Sequence, residues 1–131
     1  MENKFNEATP QRPEGNRALD ANMVVMDIYQ FMEQLRKEPA WHNSDHTAIT
    51  IFKSDRMRIV LIGLHEGAIL PTHTANGMIS VQVVEGHISF AAEQQTAELA
   101  KGQMLALHEK IPHSVTAKKE SFFLLTLAVA G

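Results

Sequence analysis

The chain has 131 residues, no cysteine, and 12 Lys and Arg against 15 Asp and Glu for a net charge of −3. That length fits one domain able to bury roughly two-thirds of its unfolded surface, and the charge balance gives no footprint for nucleic acid or for an anionic membrane. Without cysteine, disulfide frameworks, thiolate zinc sites and cysteine nucleophiles are excluded, so any chemistry must come from histidine, carboxylates and hydroxyls.

Residues 1–21 hold Pro10, Pro13 and Gly15 among Asn, Gln, Glu and Arg. This composition buries too little apolar surface to offset its ordering entropy and is expected to form a flexible arm. The opening MENKFNEATPQRPEGNRALD lacks the apolar core of a signal peptide, and no run approaches about 18 apolar residues, so a cytoplasmic protein is expected. Residues 22–45 follow as a helix and a connecting loop. In DIYQFMEQLRKEP, Ile28, Phe31, Met32 and Leu35 share one helical face, Asp27 and Gln30 stand at N-cap and N3 spacing, and Pro39 stops the pattern. Such a face is usually a lid on a core. The following WHNSDH reads as loop, which leaves His42 and His46 exposed despite their i, i+4 spacing.

From residue 46 to 131 the period changes to two. HTAITIFK, RMRIVLIGL, MISVQVV, HISFAA, TAELA, QMLAL, HSVTA and SFFLLTLAV all qualify as strands, separated by short polar turns. Many short strands with no helix between them argue for an antiparallel sandwich or barrel. Ile59, Leu61, Val81, Val83, Phe90, Leu105 and Leu124 are expected to supply much of its interior. SFFLLTLAV is more continuously apolar than a strand with one solvated face requires, which predicts a homodimer. His65 and His87 sit beside turns and are assigned no role. Glu66, Glu85 and Glu109 also flank turns, so no carboxylate pair is placed for general acid and base work.

Two stretches carry more specific information. In GAILPTHTANGMISVQVVEG, Gly67 is followed after five residues by His73, with Pro71 between them and Gly86 closing the run. In GQMLALHEKIPHSV, Gly102 leads to Pro112 and His113. The pair resembles the two motifs of the cupins, the RmlC-like superfamily, in their small single-domain form. The resemblance spans about residues 46 to 130. It implies an all-β fold, a cupin-type double-stranded β-helix (jelly-roll barrel), here preceded by one short N-terminal helix. It also implies a cage of His, His, Glu and His for iron, manganese, nickel or zinc. Here Ala75 stands where the second His belongs and Ile79 where the Glu belongs, while His108 and Lys110 replace the Pro and Gly of the second motif. Only His73 and His113 carry over as candidate metal ligands.

Strand alternation from Ile79 points Ile79, Val81 and Val83 inward and Ser80 and Gln82 outward, unless a bulge reverses it. Gln82 is therefore a candidate pocket residue, and His108 joins the site if its loop folds inward. The leading expectation is a small-molecule-binding cupin without the four-ligand metal site, its pocket marked by His73, Gln82, His108 and His113. The alternatives are a metal-dependent dioxygenase or isomerase using His73, His113 and an unconventional third ligand, and a regulatory or structural module acting through the arm and helix.

Overall fold

The computed structural model describes residues 4–6 and 17–129. Within the expected arm, β1 (Lys4–Asn6) and β2 (Arg17–Asp20) pair antiparallel, and residues 1–3 and 7–16 lie outside the described residues. The amphipathic stretch forms α1 (Ile28–Lys37). The Asp27 side chain caps it by accepting a hydrogen bond from the Gln30 N–H at 3.1 Å, which satisfies one of the N–H groups a helix start leaves open.

Pro39 does stop α1, yet it also begins α2 (Pro39–Asn43). The single helix expected from the sequence is therefore two. Proline's fixed φ and missing N–H suit the first turn of a helix, so the residue that ends one helix is pre-organised to start the next. The gain is Trp41, which α2 buries and stacks on His65 with ring centroids 3.6 Å apart. His42 and His46 stay exposed.

The period-two region forms β3 (His46–Lys53), β4 (Met57–Leu64), β5 (Ile69–His73), β6 (Gly77–Glu85), β7 (His87–Ala92), β8 (Gln95–Ala100), β9 (Met104–Leu107), β10 (His113–Ala117) and β11 (Ser121–Val129). They pair as two sheets, β5-β10-β7-β8 and β3-β4-β11-β6-β9. The expected double-stranded β-helix barrel is not what forms. Among the described residues both sheets stay open, and no ladder joins an edge of one to an edge of the other. Phe90, Ala97, Leu105 and Leu107 line an opening of about 140 Å³ between the second sheet and the four-residue edge strand β9. The sheets meet through packed side chains, as in a sandwich, rather than through backbone hydrogen bonds.

The single interior expected from the sequence is also divided. Val81, Val83, Phe90 and Leu105 lie with Phe123 and Val115 between the sheets. Leu61, Ile59 and Leu124 belong to a second cluster with Met32, Leu35, Trp41 and Phe122, where the helices cover the outer face of β3, β4 and β11. Successive residues of β11 serve the two clusters in turn. Its near-continuous apolar run is thus accounted for within one chain, because both faces of a central strand are covered.

Turn backbones follow the glycine pattern of the sequence. Gly86 holds φ +97 between β6 and β7, where an added Cβ would collide with Ser121 Oγ and the Glu120 carbonyl. Lys110, at the position where the cupin motif has glycine, keeps the left-handed backbone with φ +62. A side chain in that region costs about 1–2 kcal/mol. Lys110→Gly is therefore expected to leave stability unchanged or raise it by up to about 1 kcal/mol, and Gly86→Ala to lower it by more than about 2 kcal/mol. Urea unfolding midpoints of the two variants check both signs.

Candidate functional site

Strand β5 is the one element of the sheets that the alternation pattern did not mark, because Pro71 interrupts it. As an edge strand it tolerates the missing N–H. It pairs with β10 so that His73 stands directly opposite His113, while Leu70 stands opposite Val115. Three steps on β5 match two on β10, a bulge that falls around Pro71. The motif histidines, forty residues apart in the chain, are thereby cross-strand neighbours.

Their rings lie 4.3 Å apart between centroids at an interplanar angle of 62°. His113 is buried, 4% exposed, and stacks on Phe90 at 5.3 Å. His73 is exposed. Each ring is anchored the same way: Nδ1 of His73 bonds the Pro71 carbonyl and Nδ1 of His113 the Ile111 carbonyl, both at 2.8 Å. A carbonyl only accepts, so Nδ1 carries the proton. In the neutral ring Nε2 then presents its lone pair, and neither Nε2 has a hydrogen-bond partner among the described residues. Around the two rings Leu70, Ile79, Val81, Phe123 and Leu125 wall a cavity of about 30 Å³, space for one or two waters.

The other candidates fall elsewhere. Gln82 follows the strand alternation: it stands opposite Leu124 and Met104 on the outer face and donates to the Gly102 carbonyl at 3.5 Å. His108 is exposed in the turn after β9 and does not line the cavity. Neither joins His73 and His113. His46 bonds Asp45 at 2.7 Å and holds that carboxyl below its usual range. A polar cluster on β7 and β8 was not foreseen. Ser89 Oγ donates to Glu98 at 2.6 Å, and His87 bonds the other carboxylate oxygen at 2.9 Å. These bonds, Ser89's first, hold the Glu98 carboxyl below the ordinary glutamate range. The resulting support for the fold is present at neutral pH and is lost as pH falls through the lowered value. The Glu98 carboxylate thus lies between the serine hydroxyl and the imidazole, bonded to both.

No protein-family model matches the chain, and no curated protein matches it. Solved structures do. An RmlC-like cupin protein from Desulfovibrio desulfuricans aligns with TM-score 0.61 and 25% identity over 66% of this chain and 84% of its own. A cupin superfamily protein from Desulfitobacterium hafniense DCB-2 gives TM-score 0.63 and 16% identity over 65% and 78%. A conserved protein of unknown function from Streptococcus pyogenes gives TM-score 0.69 and 20% identity over 86% and 93%. The chain has the cupin-superfamily, RmlC-like fold, and no intact metal-binding triad is found among its described residues.

The residues present do not fit the family's resident metal. Among the described residues no group of three or more His, Cys, Asp or Glu could hold an ion. The two vacated ligand positions are apolar in space as well as in sequence: Ile79 is 4% exposed in the cavity wall, and Ala75 packs on the core between the sheets. Two neutral imidazoles supply no charge to offset a dication. Protein purified without added metal is expected to contain well under one equivalent of iron, manganese, nickel or zinc by elemental analysis, and chelator should leave its melting temperature unchanged. Ala75→His with Ile79→Glu should raise metal affinity. One equivalent in the unaltered protein, lost on replacing both histidines by alanine, would show that the pair binds metal after all.

Proposed function

We propose that this protein is a small-molecule-binding module with a cupin-type fold that recognises its ligand through His73 and His113 without a metal cage. The observation that carries the reading is the common anchoring of the two rings. Both Nδ1–H groups are committed to backbone carbonyls at 2.8 Å, so the neutral rings offer Nε2 as the remaining acceptor on an otherwise apolar wall. That arrangement complements a ligand head group with hydroxyl or amine N–H donors. The cavity of about 30 Å³ admits only such a small group, and the rest of the ligand lies outside it beside exposed His73. The enzyme alternative needs a third ligand that Ala75 and Ile79 do not provide.

Titration of isotopically labelled protein with fragments bearing alcohol or amine head groups tests this. Active fragments are expected to shift the ring resonances of His73 and His113 together with the methyls of Leu70 and Leu125. His113→Ala and His73→Ala should each abolish the response. A panel of such fragments that leaves these resonances unmoved would refute the reading.

Among the described residues no helix is long and apolar enough to cross a membrane. We further propose a homodimer, through a surface other than β11. On the half of the five-stranded sheet that the helices leave uncovered, Met78 on β6 and Met104 on edge strand β9 are 47% and 55% exposed. A second copy would cover both these side chains and the β9 edge. Sedimentation is expected to show a dimer that Met78→Glu with Met104→Glu converts to a 14.6 kDa monomer; a monomer in the unaltered protein would refute it.

A further inference from the structure

A second concavity shares no residue with the His73–His113 cavity. It is a groove of about 460 Å³ between the end of β2 and the β3–β4 hairpin, well within the size range of small-molecule sites. Asp20 lies in its wall, only 7% exposed. No described residue gives the Asp20 carboxylate a hydrogen bond or an ion pair. Neither of its oxygens is among the fully buried polar atoms left without a partner, and Asp20 lines the groove. A nearly buried carboxylate without a partner is costly, and proteins normally pair it.

Arg56 lines the same groove from the hairpin. Its backbone is pinned, its N–H donating to Ser54 Oγ at 3.3 Å and its carbonyl accepting from the Val129 N–H at 2.8 Å. Its guanidinium forms no ion pair with any described residue, Asp20 included, so the two charges stand more than 4.0 Å apart. Ser54 is satisfied within the turn, where its hydroxyl accepts from the Met57 N–H at 3.1 Å. Asp55 is exposed and already engaged. Phe52 and Val24, both half-buried, supply apolar wall.

We propose that this groove is a second binding site, for a small zwitterionic amine of the amino-acid type. Its ammonium pairs with Asp20, its carboxylate with the fork of Arg56, and its apolar side chain lies against Phe52 and Val24. A simple cation would leave Arg56 opposing it and a simple anion would meet Asp20; a ligand with both charges meets both. Arginine's planar fork suits a carboxylate in particular.

The test uses the full chain and L-leucine as probe, followed by NMR titration, with N-acetyl-L-leucine lacking the ammonium and isoamylamine lacking the carboxylate. L-leucine is expected to shift Ala21, Val24 and Phe52 saturably, and each analogue to bind at least tenfold more weakly. Asp20→Asn should weaken L-leucine at least tenfold and erase its advantage over the acetylated analogue, without lowering the melting temperature, since it removes an unpartnered buried charge. Arg56→Gln, at an exposed position, should weaken L-leucine similarly and erase its advantage over isoamylamine. Three results would overturn the proposal: no shift in the groove at millimolar L-leucine, shifts confined to His73 and His113, or affinity unchanged in both variants.

Discussion

Strand β11 lies between β4 and β6 along its length, and its side chains alternate between two hydrophobic clusters. Phe122 and Leu124 face the helices, and Phe123, Leu125 and Leu127 face the second sheet. The helical cover, the five-stranded sheet and the four-stranded sheet are therefore held in one stack by a single nine-residue strand. A one-residue slip of its register would exchange the two sets of side chains. Gly63 helps to prevent this: it stands opposite Phe122, and a side chain there would strike the phenylalanine ring at 2.5 Å. Arg36 closes the same ring from above at 4.7 Å.

The histidine pair is a by-product of sheet pairing at the other side of the core. Nothing binds His73 to His113 directly; the β5–β10 register sets them side by side, and the carbonyls of Pro71 and Ile111 turn the rings. This is how metal-ligating imidazoles are commonly oriented. Lys110, in the turn before His113, holds a left-handed backbone at φ +62. Ile79 and Val81, with Leu70, Phe123 and Leu125, wall the cavity beside the two rings.

The two concavities differ in their physical logic. The cavity between the sheets is apolar, with two rings oriented by backbone carbonyls. The Asp20 groove is lined by groups of both charges, Asp20 and Arg56 among them. Neither borrows a residue from the other.

Local physics was legible in the sequence. The Asp27 cap, the apolar face of α1, the strands β3, β7, β10 and β11, and the inward set Ile79, Val81 and Val83 all follow from periodicity, because alternation and capping act over a few residues. The apolar residues at Ala75 and Ile79 were equally visible, and the structure places Ile79 in the cavity wall and Ala75 against the core between the sheets. What the sequence could not determine depends on which elements meet. Whether the sheets close depends on hydrogen bonds between edge strands distant in the chain, and among the described residues no ladder joins them. Proline at position 39 ends one helix by local rules, and a second helix follows because Trp41 finds His65 and Phe122 to bury against. Pro71 hid β5 from the alternation pattern; only its edge position beside β10 makes that strand tolerable. The groove was hidden most completely, since Asp20 belongs to a polar stretch that by composition looks solvated, yet in the structure it is nearly buried and lines a groove with residues of the β3–β4 hairpin.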